Sequence, residues 1–89
     1  MNLPGLFKDN YSLIVSCSEN EVDDCSKMVS NALFMDEKEV TDKLLYGLEV
    51  PKLYRDIALS KRSKLLRKAN ELNLESVSIK VQDKHKDNE

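Results

Sequence analysis

Apolar and polar residues alternate in two stretches of the chain, and this alternation is typical of strands that are half buried. The first stretch covers residues 11–17 (YSLIVSC) and is rich in β-branched and aromatic residues. Its odd-numbered side chains, Leu13 and Val15 among them, would share one face, because successive side chains in a strand point to opposite sides. The second stretch, residues 75–81 (ESVSIKV), alternates more strictly. Each stretch therefore predicts a strand.

Between the two strands, apolar residues recur at steps of three and four, which is the spacing of one helical face. The first such segment follows Ser18. Ser18 and Glu21 match the S-x-x-E capping box, in which each side chain binds a backbone N–H that the helix leaves unpaired. The pattern predicts a helix that ends near Phe34 and Met35. Its inward positions are Val22, Cys25, Met28, Val29, Ala32 and Leu33.

A second helix start follows directly, at Asp36, a residue type that caps helix N-termini. The pattern predicts a helix over about residues 37–46, with Gly47 as its C-terminal stop. Pro51 excludes a helix through that point. Residues 52–57 then form a predicted short strand.

The third helix is predicted over residues 61–72. Ser60 is a suitable N-cap for it, and Asn73 tolerates the left-handed backbone that often ends a helix. Four apolar side chains would face inward: Leu65, Leu66, Ala69 and Leu72.

The resulting order is β-α-α-β-α-β. Each helix has one apolar stripe, so we expect an α+β domain with three helices on one face of a small three-stranded antiparallel sheet. This domain would cover residues 11–81. Residues 1–10 contain a proline and a glycine and are predicted to be an irregular arm. Residues 82–89 (QDKHKDNE) are charged, lack apolar anchors and are predicted to be disordered.

The stretch from residue 38 to residue 81 (KEVTDKLLYGLEVPKLYRDIALSKRSKLLRKANELNLESVSIKV) places a Leu-rich helix after Ser-Lys and ends on a Val/Ile strand. This pattern, with the element order and lengths, resembles the ClpS-like fold over roughly residues 11–81. That fold is shared by the Clp-protease adaptor family and the C-terminal domain of the bacterial ribosomal stalk protein. The resemblance implies a scaffold that binds other proteins.

The functional residues of those families are not retained. The adaptor family has an Asn-Asp-Asp run after its first strand, where this chain has Ser-Cys-Ser-Glu-Asn over residues 16–20. The family's Val-His pair corresponds to residues 46–49 (YGLE), which contain no histidine. The region that meets translation factors in the stalk family is lysine-rich, whereas here it is acidic. The resemblance therefore implies the scaffold and not its known ligands.

Length and cysteine usage indicate the broad class. The chain has 89 residues, which suits one domain. No apolar run approaches the roughly 20 residues needed to cross a bilayer, and we expect no signal peptide, no membrane anchor and a cytoplasmic protein. Cys17 and Cys25 fit neither a redox motif nor a zinc motif, and they are expected to be buried thiols in a reducing compartment. A disulfide between them would require that both face the same core.

The formal net charge of −2 conceals a strong polarity along the sequence. Residues 19–49 contain nine acids and three bases, a net charge of −6. Residues 52–68 contain seven bases and one acid, a net charge of +6. Such asymmetry bears on partners and encounter rates rather than on the fold.

The chain offers no recognisable catalytic machinery. His85 is the only histidine and lies in the charged tail, so neither cysteine has a base near it in sequence. No glycine-rich phosphate-binding motif is present, since the chain has two glycines. The carboxylates at residues 23–24 and 36–39 lack the spacing of a calcium loop and are explained by capping and solvation. We therefore expect no enzyme, no metal and no cofactor.

The basic segment is the candidate binding surface. On the third helix, three lysines lie at steps of three and four and would form one row. The leading hypothesis is a protein-binding adaptor or subunit of an assembly that docks on an acidic protein patch. The alternatives are a solvated helix face that is basic by chance, contact with RNA or DNA through the same helix, and self-association between the acidic and basic halves. The candidate residues are Lys52, Arg55, Lys61, Arg62, Lys64, Arg67 and Lys68.

Overall fold

A computed structural model describes residues 10–84 of the chain. The predicted arm, apart from Asn10, and the last five residues of the predicted tail lie outside the described residues. Three strands and three α-helices alternate in the expected order, and a short 3₁₀ turn at Glu19–Glu21 precedes the first helix. They are β1 (Tyr11–Ser16), α1 (Val22–Leu33), α2 (Glu37–Leu44), β2 (Leu48–Leu53), α3 (Arg55–Glu71) and β3 (Ser78–Asp83).

The three strands form one antiparallel sheet in the order β2-β1-β3. The central strand β1 pairs with β3 in a continuous register from Tyr11 opposite Asp83 to Ser16 opposite Ser78. Its pairing with β2 contains a shift of one residue between Leu13 and Tyr11. The predicted α+β class, the element order and the antiparallel sheet are confirmed.

The helices pack on one face of this sheet and enclose the core. α2 contacts β1 and β2, α3 contacts β1 and β3, and α1 packs against both of these helices. The odd-numbered side chains of β1 point toward this layer, and Leu13 and Val15 are completely buried. The other fully buried apolar side chains come from the three helices and the start of β2: Cys25, Val29, Val40, Leu44, Leu48, Ala58 and Leu65.

The helix boundaries that the sequence marks with polar or glycine residues are largely confirmed. Asp36 caps α2, and its carboxylate accepts a hydrogen bond from the backbone N–H of Glu39 at 3.1 Å. Gly47 separates α2 from β2 and has φ of +102°, a value that residues other than glycine rarely adopt. Asn73 follows α3 with φ of +59°, the left-handed stop that its side chain tolerates.

The second strand exists but lies four residues earlier than the predicted 52–57, and the predicted start of the third helix at Lys61 is wrong. β2 begins at Leu48 and contains Pro51, while residues 55–60 are the first turns of α3. Ser60 is therefore inside the helix and is not its N-cap. α3 instead begins after Tyr54, whose carbonyl accepts the N–H of Ala58 at 2.9 Å. Residues 55–71 contain neither proline nor glycine, so nothing in them interrupts the longer helix.

The predicted capping box between Ser18 and Glu21 is also wrong. The Ser18 hydroxyl donates to the side-chain oxygen of Asn20 and caps no backbone N–H. The Glu21 carboxylate binds the loop before β3, where it accepts the backbone N–H groups of Glu75 at 3.1 Å and Ser76 at 2.9 Å. The Ser76 hydroxyl adds a third bond at 2.6 Å. These contacts fasten the start of α1 to the loop that follows α3.

The last strand lies further along the chain than the alternation predicts. β3 begins at Ser78 rather than residue 75 and continues through Gln82 and Asp83, two residues that the predicted disordered tail included. The backbone N–H of Lys84 donates to the carbonyl of Asn10 at 2.8 Å and extends this pairing by one residue pair. Gln82 and Asp83 are ordered because they pair with β1, although their polar character predicts disorder.

Candidate functional site

The basic residues of α3 lie on three sides of the helix rather than on one face. Lys61, Lys64 and Lys68 are spaced by three and four residues, and Lys64 and Lys68 are on the side that faces α1. Arg62 lies on the opposite side, where it contacts β3, and Arg55, seven residues earlier, is on the same side of the helix as Arg62. Arg67 lies away from the buried stripe of Ala58, Leu65 and Ala69 and is exposed. The helix thus presents positive charge broadly instead of as a single stripe.

The inward side of α3 is narrower than the apolar pattern predicts. Leu65 is completely buried and Ala69 nearly so, as expected. Leu66 is 38% exposed and Leu72 is 52% exposed, so the prediction that they face the core is wrong. Leu66 lies to one side of the buried stripe. Leu72 is on the same side of the helix as Leu65, but it follows Glu71, the last residue of α3.

Arg62 has a structural contact within the molecule. Its Nε donates to the backbone carbonyl of Ile79 on β3 at 3.1 Å, and the residue is half-buried. A guanidinium is suited to this contact because it stays charged and offers several N–H donors. Arg62 therefore links α3 to the strand below it, in addition to adding positive charge.

Most of the other candidate cations have no ion-pair partner in the described part of the chain. Lys68 lies 3.9 Å from the carboxylate of Glu71, and both side chains are more than half exposed. An exposed pair of this kind contributes little to stability because water and salt screen it. Within residues 10–84, no ion pair involves Lys52, Arg55, Lys61, Lys64 or Arg67.

A groove lies between α1 and α3 and combines an apolar floor with charges of both signs. Its volume is about 620 Å³, and Met28, Ala32 and Leu72 contribute its apolar surface. Lys64 and Lys68 reach it from α3, and the remaining lining residues are Asp24, Lys27, Asn31 and Glu71. The acidic and basic parts of the sequence thus meet in space here. A polyanion that entered this groove would encounter two carboxylates.

The second end of the basic segment lies at the junction of β2 and α3. Lys52 is exposed and has φ of +61°, and Arg55 is the first residue of α3. Tyr54 lies between them and is 46% exposed. This junction places an aromatic ring beside two cations, but it lies several helical turns from Lys68.

The acidic segment is explained by helix capping and local pairing. Glu37 and Glu39 are in the first turn of α2, where the partial positive charge of the helix N-terminus favours carboxylates. Glu39 also lies 3.6 Å from Lys43, one turn along the same helix. No group of three or more potential metal ligands occurs among residues 10–84.

The two cysteines are buried free thiols that lie next to each other in the core. Burial raises the pKa of Cys25 to about 12 and also raises the pKa of Cys17. The neighbouring Cys17 side chain raises the pKa of Cys25 further. Because the thiolate is the reactive form, neither group is activated as a nucleophile.

One polar cluster was missed by the sequence reasoning. The Ser12 hydroxyl is buried and donates to the Glu49 carboxylate at 2.8 Å, which also lies 3.3 Å from the ammonium of Lys84. The Ser12 hydroxyl and Lys84 together lower the pKa of Glu49. The three residues are far apart in sequence, so no local motif could have revealed them. The cluster ties β1, β2 and the end of β3 together.

Comparison with protein-family models, with curated proteins and with solved structures finds no match to this chain. The resemblance to the ClpS-like fold therefore stays a prediction. Among the described residues, no helix has both the length and the apolar character needed to span a bilayer.

Proposed function

We propose that this protein is a non-enzymatic binding module that docks on an acidic patch of another protein through α3. It would serve as an adaptor or as a subunit of a larger assembly. The observation that carries the proposal is the absence of ion-pair partners for Lys61, Lys64 and Arg67 in residues 10–84. Cations that the molecule leaves unpaired can form charge-assisted hydrogen bonds with a partner's carboxylates.

The position of these residues supports the same reading. α3 is anchored by one fully buried leucine and by Arg62, so its outward side is held in place while Lys64 and Arg67 remain exposed. A rigid helix that presents charge loses less conformational freedom on binding than a loop does. The candidate residues at the far end, Lys52 and Arg55, would extend the contact along the helix axis.

The scaffold and the location belong to the same proposal. The order β-α-α-β-α-β supports a ClpS-like scaffold. Two free buried cysteines support a reducing compartment, in keeping with a cytoplasmic location. Neither point identifies the partner, since one scaffold hosts many functions.

The double variant Lys64→Glu with Arg67→Glu tests the proposed surface. Both side chains are exposed, so we expect the variant to fold and to lose the partners that the unaltered chain retains in affinity capture from nuclease-treated lysate. Lys38→Glu with Lys43→Glu on α2 is the matched control, because it changes the net charge equally at exposed positions elsewhere. Equal capture by the unaltered chain and both variants would show that α3 is not the interface.

RNA is the second candidate ligand, and one feature favours it: Tyr54 is half exposed between Lys52 and Arg55, where a base could stack. The two carboxylates in the groove beside Lys64 weigh against it. Salt dependence separates the two functions, because phosphate binding weakens steeply with added salt. Binding of RNA that falls in this way, with no protein captured after nuclease treatment, would favour the RNA-binding function.

A further inference from the structure

The outer edge of β3 carries backbone groups that the sheet does not use. Lys84 N–H donates to the carbonyl of Asn10, which lies directly opposite, so this is a hydrogen-bonded pair. Hydrogen-bonded and non-hydrogen-bonded pairs alternate in an antiparallel ladder. The N–H and C=O groups of Ile79 and Val81 therefore point away from β1. In the described part of the chain, Arg62 binds the carbonyl of Ile79, and nothing binds the outward groups of Val81.

The other edge of the sheet is protected against pairing. The same alternation makes Glu49 and Pro51 the residues of β2 whose backbone points outward. Proline has no N–H, and Lys52 beside it has φ of +61° next to the register shift. Proline and irregular backbone are the usual features that prevent an edge strand from accepting another strand. β3 contains no proline, and its pairing with β1 has no register shift.

We propose that two copies of this chain pair through β3 in antiparallel orientation, with Val81 opposite Val81 of the second copy. The two sheets would then form one six-stranded antiparallel sheet about a two-fold axis. The dimer surface lies on β3 and on the Arg62 side of α3, whereas the docking proposal depends on Lys61, Lys64 and Arg67, so the two proposals are tested by different variants.

The charges of β3 favour this register over the two neighbouring ones. The residues of β3 whose backbone N–H and C=O groups point outward are odd-numbered. These residues must lie opposite each other in the dimer, so the two-fold axis can pass only through a residue position of β3. Centring it on Lys80 would place two lysines opposite each other, and centring it on Gln82 would place Lys80 opposite Lys84. Centring it on Val81 places Lys80 opposite Gln82 and Ser78 opposite Lys84, with no like charges opposed. Like charges directly opposite each other destabilise a strand pair.

The side of α3 above β3 offers a matching apolar contact. Leu59 and Leu66 lie three residues before and four residues after Arg62, on the side whose guanidinium reaches β3. Each leucine is 38% exposed. A two-fold axis perpendicular to the sheet places both helix layers on the same side. Leu59 and Leu66 would then face their counterparts on the second α3.

Sedimentation velocity over a concentration series that reaches the millimolar range tests the pairing, with Val81→Pro and Val81→Thr as a matched pair. We expect the unaltered chain to dimerise. Val81→Pro removes the outward N–H at no cost to the ladder with β1 and should weaken the dimer at least about tenfold, because two central hydrogen bonds are lost. Val81→Thr keeps the N–H and should still dimerise. A monomer at all concentrations, or equal dimerisation of the proline variant, overturns the proposal.

A charge change at Gln82 tests the register and does not depend on the folding of the proline variant. Gln82 is exposed, and in the proposed register it lies opposite Lys80 twice, once on each side of the axis. We expect Gln82→Glu to tighten the dimer and Gln82→Lys to weaken it, each by roughly two- to thirty-fold. Equal dissociation constants for the two variants, or the opposite order, would overturn the register.

Discussion

Two neighbouring leucines of α3 provide a sharp test of how this helix is oriented. Leu65 is completely buried, whereas Leu66 is 38% exposed. The sequence pattern predicts that both leucines face inward, and both are in the middle of the same helix. Replacing each with alanine changes helix propensity equally, so a difference in stability reports burial alone.

The expected losses differ because only one site leaves a cavity. Leu65 is the only large side chain among the buried residues of α3, whose other two buried positions are alanines. Truncating a buried leucine to alanine costs about 2.7–5 kcal/mol, the range measured for another protein, as the surroundings collapse only partly. At Leu66 water can fill the space that the truncation leaves. Leu66→Ala removes about three methylene equivalents that are already partly exposed, so it should lower the free energy of unfolding by at most about 1.5 kcal/mol.

The assay is urea unfolding followed by far-ultraviolet circular dichroism, with the midpoint shown to be independent of protein concentration so that association does not contribute. A domain of this length has a total unfolding free energy on the order of 4–13 kcal/mol, so Leu65→Ala should remove a large part of it. Equal losses for the two variants, or a larger loss for Leu66→Ala, would mean that α3 is rotated from the orientation described. The assignment of its cations to the outward side would then be incorrect.

Three further predictions concern the polar contacts and the thiols. The Ser76 and Glu75 hydrogen bonds lower the pKa of Glu21, so this carboxylate stabilises the fold above its unfolded-state pKa and loses that effect as the pH falls through the lower folded-state pKa. Urea midpoints should therefore depend less on pH in Glu21→Gln between neutral and acidic pH, and an unchanged profile would refute this. Asp36→Ala should cost about 0.5–2 kcal/mol in the same assay because it removes the cap of α2. Burial raises the pKa of both cysteines, so a thiol reagent should label them only as the chain unfolds, and rapid labelling in native conditions would contradict the buried pair.

The errors at β2 and α3 have one cause. The sequence pattern predicts a break between elements at Pro51 and therefore places the next strand after it. In the structure its missing N–H lies at the outer edge of the sheet, where no ladder bond is needed. Once β2 ends at Leu53, residues 55–60 are free to continue the helix that Ser60 was expected to begin. Whether a proline interrupts a strand thus depends on which side its nitrogen faces.

The capping box fails for a related reason. The pattern Ser18-x-x-Glu21 has the correct spacing, but three donors on Glu75 and Ser76 offer the carboxylate more hydrogen bonds than the helix start does. A local motif indicates which backbone groups a side chain can reach nearby in the sequence, but packing can bring hydrogen-bond donors from other segments within its reach. The spacing of the basic residues on α3 places the lysines along one row of the helix, but it gives no sign that Arg62 donates a hydrogen bond to Ile79.

What the sequence determined by itself is the set of elements, their order and the segregation of charge, because periodicities of two and of three to four residues follow from backbone geometry within each segment. Only the tertiary structure decided which strand edge is open, which carboxylate binds which loop and which cations remain unpaired. Glu21 and Ser76 are 55 residues apart, and Arg62 and Ile79 are 17 apart. Contacts at such separations depend on how the helices pack on the sheet, and no local pattern encodes that geometry.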